Sequence, residues 1–182
     1  MAKYDNDAPI SVWVGNLGKY NEGELVGEWF SLPCADFEEE WDELMEAIGI
    51  DGERYEEVFC ADWECHVPGL KYSEYPDYEE LDGIAAEWDS MYDYDREAVG
   101  VRIELCGEEF YSAIDHKDDV RIYHGCQDMT DVAEEYVDDT GMLDQMPDNL
   151  RWYFDYEAFG RDMAIEGTFG YSEELGCMVE AY

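Results

Sequence analysis

Three histidines, six cysteines and 49 carboxylates are the residues of this 182-residue chain that could do chemistry. Cys60, Cys65 and His66 lie close together, as do His124 and Cys126, and a zinc site would draw on such groups. Their spacings, Cys-x4-Cys-His and His-x-Cys, do not match the paired ligand patterns of zinc sites. Calcium would need a twelve-residue loop with regularly spaced Asp, a central Gly and a final Glu, and no stretch has it. Gly15, Gly18 and Gly23 would cradle a phosphate only with the Gly-Lys-Ser/Thr ending of a P-loop, which is absent. His66, His116 and His124 have no serine or cysteine nucleophile motif around them. Paired carboxylates can hydrolyse glycosides, but any two of 49 can be neighbours, so the count carries no specificity. The sequence therefore predicts no catalytic residue, no metal site and no cofactor. The six cysteines, scattered without tight pairing, read as free, partly buried thiols.

What remains is the charge itself. Ten Lys and Arg against 49 Asp and Glu give a formal net charge of −39. Such a surface is repelled by phosphates, which excludes direct binding of DNA, RNA or an anionic membrane and points to cationic partners. Disorder is excluded as well, because 46% of the residues are hydrophobic and 15% aromatic, ample for packed cores. No segment has the length to cross a membrane. The opening MAKYDNDAPISVWVG lacks a basic-then-apolar secretory signal, so a cytoplasmic protein is expected. Crowding 39 charges onto one sphere is costly, and an elongated chain relieves it. The same number of charges is carried by roughly 66 Å of DNA duplex.

The elements that must present these charges follow from periodicity. Ile10 to Val14 reads as a strand, followed by a turn-rich stretch and a second strand from Glu28 to Leu32. After Pro33 the pattern turns helical. Phe37, Trp41, Leu44, Met45 and Ile48 fall on one face, Asp36 with Glu39 resembles a capping box, and Gly49 marks the end. A second helix spans Pro76 to about Tyr92, with Leu81, Ile84, Ala85, Trp88 and Met91 as its apolar stripe. A third runs from Thr130 to Thr140, with Val132, Ala133, Tyr136 and Val137 inward and Gly141 closing it. Val58 to Val67 reads as an irregular strand and Val120 to His124 as a short one. Val99, Val101, Ile103 and Leu105 alternate as in a strand, yet Val99, Ile103 and Cys106 also fit a helix. Asp148 to Phe159 reads as a helix broken near Gly160, and Gly167 to Tyr171 with Cys177 to Tyr182 as a closing hairpin. Strand-containing ends flanking a helical middle give an α+β chain. Its expected divisions are 1–67, 68–117 and 118–182.

The outer faces of the three helices carry the candidate binding surface. They hold Glu38, Glu39, Glu40, Asp42, Glu43 and Glu46 on the first, and Asp77, Glu79, Glu80, Asp82, Glu87 and Asp89 on the second. The third carries Asp131, Glu134, Glu135, Asp138 and Asp139. No Lys or Arg pairs them at helical spacing. Ordinary solvated helices mix signs at i and i+4, whereas like charges there destabilise. Carboxylates standing in for phosphates in a cationic DNA-binding groove would explain the omission, with encounter accelerated by complementary potential and affinity falling with salt.

Two segments then carry a resemblance. VWVGNLGKYNEGELVGEWFSLP (Val12 to Pro33) and DVAEEYVDDTGMLDQMPDNLRWYFDYEAFGRDM (Asp131 to Met163) resemble the signature regions of the ArdA antirestriction proteins. The resemblance implies a DNA mimic, carried by mobile elements, that occupies the DNA-binding groove of type I restriction-modification enzymes. It also implies an elongated, curved chain of three small α+β domains with a helical middle, dimerising through its C-terminal domain, and it favours helix over strand for Val99 to Cys106. The alternative reading is an acidic binding module or chaperone that sequesters a basic protein.

Overall fold

The computed structural model describes residues 4–182. The chain forms two compact units, the first ending at Tyr92 and the second running from Asp93 to Tyr182. Strands lie toward both ends of the chain and helices dominate its middle, so the fold class is α+β as the sequence predicts.

In the first unit Ile10–Asn16 (β1), Gly27–Leu32 (β2) and Val58–Cys65 (β3) form an antiparallel sheet in the order β2-β1-β3. Ile10, Val12 and Val14 alternate onto one face and are fully buried there with Phe30 and Leu32. The irregular pattern of β3 has a cause. Trp13 pairs with Asp62 and Val14 with Cys60, so Ala61 is an extra residue in a bulge. Between β1 and β2 the expected turns contain a short helix, Leu17–Asn21 (α1). Asn16 anchors this junction from a fully buried position. Its Nδ2 donates to the carbonyls of Ile48 at 3.1 Å and Gly49 at 3.3 Å, and its Oδ1 accepts from the Lys19 N–H at 3.0 Å.

Phe37–Ile48 (α2) and Tyr78–Ser90 (α3) belong to this unit and dock through aromatic side chains. Phe37 stacks on Trp41 at 5.7 Å, both meet Phe30 edge-on, and Trp41 lies 4.6 Å from Tyr78. The α2 cap forms as expected, with the Asp36 carboxylate accepting from the Glu39 N–H at 3.1 Å and Gly49 in the left-handed conformation at φ 77°. The reciprocal contact comes from Glu40 rather than Glu39: its carboxylate accepts from the N–H groups of Ala35 at 2.9 Å and Asp36 at 3.4 Å.

The second unit contains Asp93–Cys106 (α4), Phe110–Asp115 (α5), Val120–Tyr123 (β4), Met129–Thr140 (α6), Asp148–Arg151 (α7), Tyr156–Glu166 (α8), Phe169–Ser172 (β5) and Cys177–Ala181 (β6). Its antiparallel sheet has the order β4-β6-β5, and β5 with β6 is the expected closing hairpin. The ambiguous segment from Val99 is helical. Ala98, Val99, Gly100, Val101 and Arg102 are buried in succession, so burial all round α4 erases the one-sided stripe that periodicity needs. Ala98 and Val101 pack on Val120, Ile122, Cys177, Val179 and Ala181 of the sheet.

The single helix expected from Asp148 to Phe159 is instead two. The chain leaves helix after Arg151 and Asp155 caps a new one, accepting from the Ala158 N–H at 2.9 Å. Gly160 lies inside α8 and does not break it. A Cβ at Gly160 would strike the backbone carbonyl of Met129, so the missing side chain is what lets α8 lie against the start of α6. In an open helix Gly→Ala stabilises by about 1 kcal/mol. Here Gly160→Ala is expected to destabilise by about 1–3 kcal/mol, because the obstruction is backbone. Chemical denaturation of the two proteins checks the sign.

Candidate functional site

On α2 the carboxylates of Glu38, Glu39 and Glu40 occupy the first turn, where the helix dipole favours them. Glu46 lies in the last turn, where it does not. The same holds for Glu87 and Asp89 in α3 and for Asp138 and Asp139 in α6, and none of the three helices has a basic residue in its last turn. These helices therefore carry acids against their own local stability.

The structure sorts the seventeen predicted acids by what they touch. Glu38, Glu39, Asp42, Glu43, Glu46, Asp77, Glu79, Glu80, Glu87, Asp89, Glu134, Asp138 and Asp139 are exposed, while Glu40, Asp82, Asp131 and Glu135 are half-buried. Several have local tasks that spacing did not reveal. Asp77 caps α3 by accepting from the N–H groups of Glu79 and Glu80, both at 3.1 Å. Asp82 accepts from the Cys34 N–H at 2.8 Å and so fastens α3 to the segment leading into α2. Asp131 accepts from the Gln127 N–H at 2.7 Å, and Glu135 from the Cys126 thiol at 3.3 Å. Burial and that carboxylate push the Cys126 thiol up to about 12. Asp139 pairs with Arg121 at 3.2 Å.

The aromatic contact between Trp41 and Tyr78 brings the acids of α2 and α3 together on the first unit. Glu40 and Asp89 meet there with Asp5 and Asp7 around an open hollow of about 400 Å³. The α6 acids belong to the second unit. Cationic side chains are few and mostly engaged. Arg54 pairs with Glu22 at 2.7 Å and Lys117 with Asp95 at 2.8 Å, while the buried Arg102 pairs with Glu108 and donates to the Tyr182 backbone oxygen at 2.9 Å.

The cysteines considered for metal donate to other acceptors. The Cys60 thiol donates to the Asp62 carbonyl at 3.3 Å and the Cys65 thiol to that of Val67 at 3.4 Å, and burial pushes Cys60 up to about 11. Among the described residues no three His, Cys, Asp or Glu side chains are grouped to hold a metal ion. No helix among them is long and apolar enough to cross a membrane.

One surface feature escaped the sequence reading. Between α7 and α8, Trp152 and Tyr153 are 87% and 83% exposed. Trp152, Phe154 and Tyr156 line an open groove of about 450 Å³ with Asp148 and Arg151. The run WYF between Arg151 and Asp155 was the available signal. Within one continuous helix such a run reads as core, and the break between α7 and α8 is what exposes it.

Fold and surface together define an acidic α+β protein whose carboxylates far outnumber the cations that could neutralise them. A family model described as "Antirestriction protein (ArdA)" matches residues 12–174, and the chain belongs to the ArdA antirestriction family. No curated protein matches the chain. Membership supports an antirestriction function and, with it, an interaction with restriction-modification enzymes.

Two measurements separate structural from surface acids. Asp82→Ala leaves a partly buried N–H unpaired and is expected to cost about 1–3 kcal/mol of stability, whereas Glu80→Gln changes it by about 0.5 kcal/mol or less. Glu108 provides the second. The His116 Nδ1 at 3.0 Å, the Arg102 guanidinium and the Ser112 hydroxyl at 3.0 Å hold its carboxyl below the ordinary 4.5, against burial. A carboxylate whose folded value lies below its unfolded one stabilises above that unfolded value and loses its contribution as pH falls. Melting curves recorded downward from pH ~5 are expected to show a steeper loss for the wild type than for Glu108→Gln.

Proposed function

We propose that this protein blocks type I restriction-modification enzymes by occupying the cationic groove that grips DNA, its carboxylates taking the positions of phosphates. The observation that carries this reading is the placement of acids in the last turns of α2, α3 and α6, turns that hold no basic residue. Local stability opposes them there, and complementarity to a cationic surface accounts for them. Family membership supplies the target class, restriction-modification enzymes. The reading includes a homodimer formed through the C-terminal region, and the division into segments 1–67, 68–117 and 118–182. It also includes an elongated, cytoplasmic protein that protects incoming mobile DNA.

A groove that holds many phosphates makes many weak contacts, so affinity is spread over the acids. Neutralising one of the exposed Glu39, Glu43 or Glu80 is expected to change inhibition about twofold or less, as an exposed ion pair would. Converting the exposed acids of a whole helix face to amides is expected to weaken inhibition at least tenfold and to flatten its salt dependence. Competition between the purified protein and duplex DNA for a type I enzyme, titrated across salt, measures both. Equal competition for an unrelated basic protein would favour general sequestration instead. No competition at low salt would remove the proposal. Solution scattering with the molecular mass tests the elongated dimer.

A further inference from the structure

The connection between β1 and β2, part of the segment that resembles a family signature, does more than turn the chain. Its Asn16 and Lys19 both reach the C-terminal end of α2. A helix ends on carbonyl groups that have no partner within it and that carry the negative end of its dipole, and a basic side chain in the last turn is a common answer. The last turn of α2 has none and holds Glu46 instead. Here the answer comes from outside the helix. Asn16 Nδ2 donates to the Ile48 and Gly49 carbonyls, and the Lys19 ammonium stands so close to Gly49 that a Cβ on that residue would lie 2.6 Å from Nζ. The missing side chain of Gly49 thus makes room for a cation as well as for the left-handed turn.

Lys19 is held there from two further sides. Its backbone N–H donates to Asn16 Oδ1 at 3.0 Å, and its Nζ lies 5.6 Å from the centre of the Tyr55 ring. That ring lies against Gly18, where a Cβ would meet it at 2.5 Å. Glu22 does not explain the position of the ammonium, because its carboxylate already accepts from the Arg54 guanidinium at 2.7 Å and from the Tyr55 hydroxyl at 2.9 Å. One of only ten cationic side chains in the protein is therefore placed at the end of an acidic helix.

We propose that Lys19 is a positioning residue for the acidic face of α2. Its ammonium supplies, from α1, the positive charge that the last turn of α2 lacks, and keeps that turn helical while it presents Glu46 to the partner. This inference rests on the function proposed above and gives it an unexpected sign: a positive charge that strengthens binding to a cationic groove. By net charge alone, removing Lys19 would make the protein a better ligand for such a groove.

Three variants separate the two effects. Lys19→Met keeps the alkyl stem and removes the charge, Lys19→Arg keeps the charge, and Lys71→Met removes a charge from an exposed lysine of the same unit. The first measurement is amide exchange at Gly49 and Ile50, whose N–H groups donate to the Glu46 and Met45 carbonyls at 3.1 and 2.9 Å. Exchange about two- to fivefold faster in Lys19→Met, with Lys19→Arg and Lys71→Met unchanged, supports the role. Unchanged exchange in Lys19→Met overturns it. If Lys19→Met alone does not fold, Lys19→Met/Glu46→Gln is compared with Glu46→Gln: faster exchange in the double variant supports the role, and equal exchange overturns it. The second measurement is competition with duplex DNA for a type I enzyme, well below the melting temperature of each variant. Competition about two- to fivefold weaker for Lys19→Met, and retained by Lys19→Arg and Lys71→Met, supports the role. Equal or stronger competition by Lys19→Met, or a loss shared by Lys19→Arg or Lys71→Met, overturns it and leaves the proposed function standing. If the wild-type protein itself does not compete at low salt, the proposed function fails and the positioning role fails with it.

Discussion

Like-charge repulsion is the constraint on which the rest of this structure depends. With 49 carboxylates and ten cationic side chains, attraction between charges cannot hold the chain together. Cohesion is left to apolar burial and to hydrogen bonds that use carboxylates as acceptors from N–H groups. Asp36, Asp77, Asp128 and Asp155 each cap a helix in this way. At those positions a negative charge meets unsatisfied N–H groups and the favourable end of the dipole, so part of the excess charge is made stabilising. Most of the few cations are committed as well. Arg102 is the clearest case, buried between Glu108 and the last residue of the chain.

Aromatic packing provides much of the apolar cohesion. In the first unit a chain of rings runs from Phe30 through Phe37 and Trp41 to Tyr78 and ties a three-stranded sheet to two helices. In the second unit smaller residues do the equivalent work: Val132, Cys126 and Met178 pack beside Tyr123, and Gly160 lets two helices approach closely. Both arrangements leave most of the carboxylates of α2, α3 and α6 on the outside.

Much of this was legible in the residues. The stripe Phe37, Trp41, Leu44, Ile48, the cap at Asp36 and the stop at Gly49 specify α2 almost completely, because local signals and burial agree. Where they disagreed, periodicity failed. The α4 segment alternates like a strand but is buried all round, so it was the family resemblance that favoured helix. Asp155 looks like any other acid of this chain, and its role as a cap emerges only from the backbone around it. Gly160 reads as a breaker until Met129 is seen against it. The acidic faces were legible as composition, but not the division of labour within them. Asp82 and Glu40 bond to distant or preceding N–H groups, and nothing in their spacing distinguishes them from Glu80 or Glu39. The exposed Trp152 was hidden for the opposite reason, since an aromatic run in a presumed helix reads as core.

The acids in the final turns of α2, α3 and α6 have a thermodynamic consequence. They raise the free energy of the unbound protein, and under the proposed function a cationic surface laid against them would remove that penalty. Docking and folding are thereby linked, and a partner that binds only the folded chain shifts the folding equilibrium by mass action. Under that reading, part of the affinity would come from tension held in the free protein and relieved on docking. A protein built this way holds its least comfortable form when alone.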